Sequence, residues 1–225
     1  MEHKNFQFVL ASTSPSRLSI LRSAGVEPEV APSHVDEDAV VATLANPTAE
    51  DVVQTLAEEK ARATAADLFG DTPLPARTVL LGGDSMLLID GELQGKPHTK
   101  EETIRRWQYQ RGKTAELLTG HALLCGGDGE HTAPREHLEV SRTRIRFAEP
   151  TDADIEAYAA TREPFGCAGA FTLEALGGWF IDRIEGDPSS VIGLSLPVVR
   201  RALYRFGFNA SDFWNPPIGA GHTGS

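Results

Sequence analysis

Three features of this 225-residue chain predict an α/β fold built on a mixed β-sheet. Short apolar runs alternate with amphipathic helical patterns along the whole chain, which interleaves helices with strands. Asp90-Gly91 stands between two apolar runs, and such a pair makes a tight hairpin, so at least one strand is antiparallel to its neighbour. Hydrophobic residues make up 40% and charged residues 24%, enough to build a core without disulfides or a structural metal. The length fits one large domain or two tightly joined lobes. We expect a single domain over 1–208 and a disordered tail over 209–225, where Pro, Gly, Ser and Thr accumulate after Asn215.

The elements follow in order. Phe6–Ala11 reads as a short buried strand. Ser14 is placed to cap a helix with Pro15 in its first turn, and that helix stops at Gly25. Glu29–Ala31 is a second strand, and 34–39 an acidic loop. The apolar face Val52, Val53, Leu56, Ala57 and Ala61 predicts a long helix from Thr48 to Leu68. Val79–Leu81 and Met86–Ile89 read as two strands separated by Gly82-Gly83-Asp84, and Gly95-Lys96-Pro97 closes the hairpin that follows. Thr99 and Glu102 have capping-box spacing and open a helix to Gln110. Strands are expected over Leu117–Cys125 and Leu138–Phe147 around a Gly-rich turn, a helix over Asp152–Ala160, strands over Ala168–Leu173 and Trp179–Ile184, and a closing helix from Leu196 to Phe206.

The formal net charge is −11. A chain this acidic is a poor general binder of nucleic acid or of an anionic membrane, and an anionic substrate would need locally concentrated positive charge or a metal ion. No apolar run reaches the roughly 18 residues of a membrane helix, and the first residues lack a secretory pattern. We therefore expect a cytoplasmic protein. Cys125 and Cys167 form no CxxC pair and are expected to be reduced.

Several segments offer chemistry, each with a plainer alternative. Ser12-Thr-Ser-Pro-Ser-Arg17 places hydroxyls, a helix N-terminus and a guanidinium at one turn, a combination suited to phosphate, although an ordinary capped helix with a surface Arg has the same residues. Asp36-Glu37-Asp38 is either a solvated charge run or a source of carboxylate for a hard cation. Asp84 follows an apolar strand and two glycines, where α/β proteins place ligands or simply cap turns. Lys60 and Lys96 are the candidate positive charges. Arg142, Arg144 and Arg146 share one strand face and are read as solvated. No zinc-protease spacing or nucleophile elbow occurs.

Taken in sequence, Leu10-Ala-Ser-Thr-Ser-Pro-Ser-Arg17, Val35-Asp-Glu37, Glu59-Lys-Ala61, Gly83-Asp-Ser85, Asp90-Gly-Glu-Leu-Gln-Gly-Lys-Pro97, Leu118-Thr-Gly120, Ala168-Gly-Ala-Phe171 and the run Arg183–Leu194 resemble the Maf family of nucleoside triphosphate pyrophosphatases. The resemblance extends from about Phe8 to Gly207. It implies the inosine-triphosphatase-like fold, with an elongated mixed sheet flanked by helices and a cleft between two lobes. It implies cleavage of a nucleoside triphosphate, modified or non-canonical ones included, to monophosphate and pyrophosphate. It makes Asp84 the general base, Glu37 and Asp84 ligands of Mg²⁺ or Mn²⁺, and Ser12, Arg17, Lys60 and Lys96 the triphosphate clamp. A homodimer is also implied. The alternative from the same resemblance is a nucleotide-binding regulator of division or septum formation with little or no turnover.

Three positions depart from the common family pattern and are assigned to substrate specificity. Ser16 and Leu18 flank Arg17 where many members have two arginines in succession. Ser85 replaces a frequent Thr, and Glu174 stands where the branch acting on dTTP and UTP has Gln. Glu174 is more similar to the branch acting on 7-methylguanosine triphosphate, but that branch has Trp in place of Ser16. A carboxylate at 174 suits a base edge that donates hydrogen bonds, such as guanine, or a cationic base.

Overall fold

The structure is a computed structural model and describes residues 6–126 and 135–215. Its centre is a seven-stranded mixed sheet. Strand β1 (Gln7–Ala11) lies between β2 (Glu29–Val30) and β3 (Thr78–Ile89), parallel to both. From β3 outward the sheet is antiparallel, through β5 (Thr114–Cys125), β6 (Arg135–Phe147) and β7 (Ile181–Glu185), and β4 (Glu92–Gln94) folds back on the end of β3. Asp90 and Gly91 both have positive φ, 50° and 87°, as a two-residue hairpin requires. The α/β mixed sheet expected from the alternating pattern is the observed one.

Helix α1 (Pro15–Ser23) starts as read, with the Ser14 side chain accepting from the Arg17 amide at 3.4 Å. The loop expected at 34–39 instead ends in a short helix, α2 (Glu37–Ala42). The Asp36 carboxylate caps it by accepting from Ala39 N–H at 3.0 Å, which converts part of the acidic run into a helix start. Helix α3 (Ala49–Phe69) buries the apolar face read from the sequence and carries a full capping box between Thr48 and Asp51. In helix α4 (Lys100–Gln110) the box is only half made. Thr99 accepts from Glu102 N–H, but the Glu102 carboxylate turns to Arg105 and Arg106, which with its hydrogen bonds holds it down to about 2. Helices α5 (Asp152–Ala160), α6 (Pro188–Ile192) and α7 (Leu196–Arg205) complete the set.

Two further expectations change. The strands separated by Gly82-Gly83-Asp84 are one continuous strand, β3. The glycines do not break it; Gly82 lets α3 lie directly on it, while Gly83 lies against Arg17. A Cβ on Gly82 would sit 2.3 Å from the Ala57 carbonyl oxygen, and one on Gly120 of β5 would sit 2.2 Å from that of Val53. The strand expected over Ala168–Leu173 does not form. Gly169 and Ala170 have φ of 70° and 60°, which extended backbone excludes, and the segment runs as short 3₁₀ turns over Glu163–Gly166, Ala168–Ala170 and Leu176–Phe180 before β7.

The sheet serves two large cores and a smaller one in which Ala57 and Ala61 of α3 pack on Val9, Ala11, Leu80 and Ala122. One end packs Phe8, Leu10 and Leu81 against Leu21 of α1 and Val198, Ala202 and Leu203 of α7. At the other end Leu87, Ile89 and Leu117 pack with Trp107 of α4, Ile155 and Tyr158 of α5, and Phe171. Asp84 lies on β3 between the two sets. Beyond residue 208, Phe213 is buried against Phe6, Phe8 and Phe208, and Asn215 donates to the Gly25 carbonyl at 2.7 Å. The rest of the expected tail, 216–225, and most of the Gly-rich turn, 127–134, lie outside the described residues.

Candidate active site

A cleft of about 530 Å³ opens where the two cores meet, a volume suited to a small-molecule ligand. One wall is the β1–α1 turn with residues of α2, α3 and β3. Lys96, the segment 163–174 and the turn after α6 line the rest. Ser12, Ser16, Arg17, Glu37, Lys60, Asp84, Ser85, Lys96 and Glu174 all line it, so every site residue named from the sequence comes to one cavity.

The close fit of α3 on Gly82 and Gly120 places Lys60 over β3. Its ammonium lies 2.6 Å from Asp84 Oδ1 and 2.6 Å from Glu37 Oε1. Lys60 and Asp84 are 8% and 6% exposed, so water screens this pair little. Burial works against the ionised form of Glu37, but its hydrogen bond to Lys60 and the charges of Lys60, Lys96 and Arg17 outweigh burial and hold its carboxyl below the usual range. Asp84 Oδ2 is buried and accepts no hydrogen bond among the described residues. A buried carboxylate oxygen without a partner is costly and suits a site that a ligand or water completes.

Arg17 is buried beneath the first turn of α1. Its Nε donates to the Gly193 carbonyl at 2.8 Å, Nη1 to Ser12 Oγ at 3.2 Å and Nη2 to Ser85 Oγ at 3.1 Å. Desolvation lowers its pKa, against the pull of Asp84 and Glu37. These bonds tie the β1–α1 turn, β3 and the turn after α6 into one unit, and they leave two guanidinium N–H groups for a ligand. Lys96 is exposed on the cleft and makes no ion pair or hydrogen bond among the described residues. Ser16 Oγ donates to Glu174 Oε1 at 2.8 Å, which joins α1 to the far wall, and Glu174 Oε2 accepts from the Leu173 amide. Ser85 sits apart from that pair, bonded to Arg17 and to Thr119 Oγ1.

Some cleft and supporting residues had no signal in the sequence. Glu163, Cys167 and Thr172 line the far wall on irregular backbone, where periodicity says nothing. Burial and the neighbouring carboxylates of Glu174 and Glu163 push the Cys167 thiol up to about 11. His121, fully buried on β5, accepts from Ser195 N–H at Nε2 (2.9 Å), so its proton is on Nδ1, toward the Glu139 carbonyl. Burial and the Arg17 charge push it down to about 4, and it stays neutral. With Thr119, which donates to the Ser190 carbonyl, His121 fixes the turn that presents Gly193 to Arg17.

No group of three or more His, Cys, Asp or Glu side chains is placed to hold a metal ion among the described residues. Glu37 and Asp84 do converge on one cationic centre, the Lys60 ammonium. Two carboxylates that share one cationic partner are donors of the kind that Mg²⁺ or Mn²⁺ takes. No helix among the described residues is long and apolar enough to cross a membrane.

Known proteins bear on this cleft. A nucleoside triphosphate pyrophosphatase of Corynebacterium efficiens is 64% identical over 208 residues, covering 92% of this chain and 98% of its own. Proteins of the same name from Corynebacterium diphtheriae and Rhodococcus jostii are 62% and 53% identical, each over 92% of this chain and over 98% and 95% of their own. A solved HAM1 protein from Coxiella burnetii aligns over 90% of this chain and all of its own at 16% identity, with a TM-score of 0.36, too low to carry a fold assignment. The model of the Maf-like proteins matches residues 7–206, and the chain belongs to the Maf family.

Proposed function

We propose that this protein is a nucleoside triphosphate pyrophosphatase whose chemistry takes place at Asp84. The observation that carries the reading is the buried Asp84, with Oδ1 held by Lys60 at 2.6 Å and Oδ2 without a hydrogen-bond partner among the described residues, on the floor of a cleft that also holds Arg17 and Lys96. The names of its close relatives support the same reaction.

In this reading the triphosphate lies along the first turn of α1. The helix N-terminus, Ser12, the two remaining N–H groups of Arg17 and Lys96 meet its oxygens. Lys60, 2.6 Å from Oδ1, keeps the Asp84 side chain aimed. Oδ2 accepts the proton of a water as that water bonds to the α-phosphorus, and the α–β anhydride bond breaks. Pyrophosphate leaves with the bonding electrons, and Lys96 and Arg17 compensate its charge. Glu37 and Asp84 are the residues that would hold Mg²⁺ or Mn²⁺, which would neutralise charge on the phosphate oxygens. Glu174, anchored by Ser16, favours a base edge that presents N–H donors, which points to guanine or a modified, cationic base over uracil or thymine.

Product analysis on a panel of canonical and modified nucleoside triphosphates tests this, with Mg²⁺, Mn²⁺ or EDTA, on the wild type and Asp84→Asn. The expected outcome is metal-dependent release of pyrophosphate and monophosphate, with kcat of the variant down at least about a hundredfold and KM little changed. Orthophosphate as the product would overturn the reaction assignment. Undiminished kcat in the variant would remove Asp84 as the base, and tight nucleotide binding without turnover would favour a regulator.

A further inference from the structure

The segment that carries Glu174 has no helix or strand to hold it in shape. Between α5 and β7 the chain runs as isolated 3₁₀ turns, so side-chain hydrogen bonds add to the few backbone ones that hold it. Around residues 172–177 several of them meet at Glu163. Its Oε1 accepts from the Thr172 hydroxyl and from the Gly177 amide, the latter at 3.1 Å. Thr172 Oγ1 accepts from the same Gly177 amide at 3.2 Å, and the Thr172 amide donates to the Tyr158 hydroxyl at 3.2 Å. Thr172 and Gly177 stand two residues before and three after Glu174, so they are the two ends of a short loop with that carboxylate between them. The loop closes tightly, since a Cβ on Gly177 would lie 2.5 Å from both the Thr172 carbonyl oxygen and the Tyr158 hydroxyl.

Glu163 thus spends one oxygen on both ends of the loop. Oε2 makes no hydrogen bond among the described residues, and the side chain lines the cleft. An acceptor is all that the Thr172 hydroxyl and Gly177 amide require; a negative charge is not.

We propose that Glu163 is a positioning residue that acts through Thr172 and Gly177 to hold the Glu174 loop, and so sets how sharply the cleft discriminates between nucleobases. The inference rests on the reading of the cleft as a nucleoside triphosphate site, but not on which base is preferred. Because Oε1 alone makes the tether, Glu163→Gln keeps it and Glu163→Ala loses it.

The test measures kcat and KM on purine and pyrimidine triphosphates for wild type, Glu163→Ala, Glu163→Gln and Thr172→Val, with thermal unfolding of each. For Glu163→Ala we expect KM for the best nucleotide to rise about tenfold, kcat to stay within about threefold, and the ratio of kcat/KM between best and worst bases to fall at least about fivefold. Glu163→Gln should stay within about twofold of wild type in that ratio. A Glu163→Ala variant with the wild-type ratio overturns the proposal. So does a Glu163→Gln variant as impaired as the alanine, because charge would then matter more than the tether. If Glu163→Ala does not fold, Thr172→Val, which removes the hydroxyl alone, decides by the same ratio: a fall supports the tether and an unchanged ratio overturns it. A wild type that turns over no nucleotide fails the pyrophosphatase reading instead, and the ratios of nucleotide Kd among the same variants then decide the role of Glu163.

Discussion

Gly82→Ala is the substitution whose effect the geometry predicts most directly. The new methyl carbon would meet the Ala57 carbonyl oxygen at 2.3 Å, the Ala61 amide nitrogen at 2.7 Å and the Ala61 Cβ at 2.9 Å. Two of these are backbone atoms of α3, so no side chain can rotate away. Restoring an ordinary contact of about 3.4 Å requires the helix to lift from the sheet by about 1 Å, an overpacking strain of about 1–3 kcal/mol. For a chain of this size that lowers Tm by about 3–10 °C. The same lift carries Lys60 away from Asp84, and a 1 Å misplacement of a catalytic pair costs on the order of a hundredfold in rate. The assay pairs urea unfolding with kcat/KM. Gly95→Ala is the stability control, because a Cβ there meets nothing within 4 Å. A Gly82→Ala protein within about 0.5 kcal/mol of wild type would refute the claim that α3 needs glycine beneath it.

Two other outcomes can be stated. His121 titrates at about 4 in the folded protein against 6.5 ordinarily, so between those values the unfolded chain binds a proton that the folded one does not. Stability therefore rises with pH across that window and falls as pH drops from 6.5 toward 4, by up to about 3 kcal/mol from this residue. His121→Gln lacks this component, so the stability gap between wild type and variant, measured by urea unfolding, should shrink as pH falls from 7 to 4.5; a gap independent of pH would contradict it. Lys96→Gln removes an exposed charge that makes no ion pair among the described residues, so unfolding should be unchanged within about 0.5 kcal/mol while kcat/KM falls about tenfold or more. An equal loss of stability would mean that Lys96 holds the fold rather than a ligand.

What could be read from the sequence was whatever local chemistry decides. The start of α1 depends on Ser14 and Pro15, the hairpin on Asp90-Gly91, and the buried face of α3 on a periodicity that survives tertiary packing. The continuity of β3 could not be read, because glycine inside an apolar run ordinarily interrupts a strand. Only the approach of α3, made by residues some twenty positions earlier, turns Gly82 into a fitting surface. The 168–173 segment misled for the opposite reason: Ala-Gly-Ala-Phe is apolar enough for a strand, while the positive φ of Ala170 is imposed by its surroundings. Among the site residues, those in recognisable motifs were named in advance, whereas Glu163 and His121 draw their roles from partners distant in the chain, Thr172 and Gly177 for one and Ser195 for the other.

A chain of net charge −11 can serve a polyanionic ligand only if its positive charge is compartmented. On the outer surface the cations are largely engaged: Arg22 with Glu27, Arg62 with Glu58 and Glu136, Arg105 with Glu102, Arg111 with Asp152, and Arg142 with Glu50 and Glu116. Such exposed pairs add little stability. In the cleft the positive charge is gathered at one wall. Arg17, Lys60 and Lys96 stand with Glu37 and Asp84, while Glu163 and Glu174 lie on the far wall, and Arg17 and Lys60 are buried, where a charge acts more strongly than it does in water. Lys60 is the pivot of this arrangement. Its ammonium lies 2.6 Å from both carboxylates, and a divalent cation would compete for the same two oxygens, so the lysine and the metal could not both hold them fully. Holding a divalent cation there would therefore require the Lys60 ammonium to yield Glu37 Oε1 or Asp84 Oδ1. In the proposed reading, a triphosphate at the first turn of α1 would offer Lys60 other oxygens to pair with.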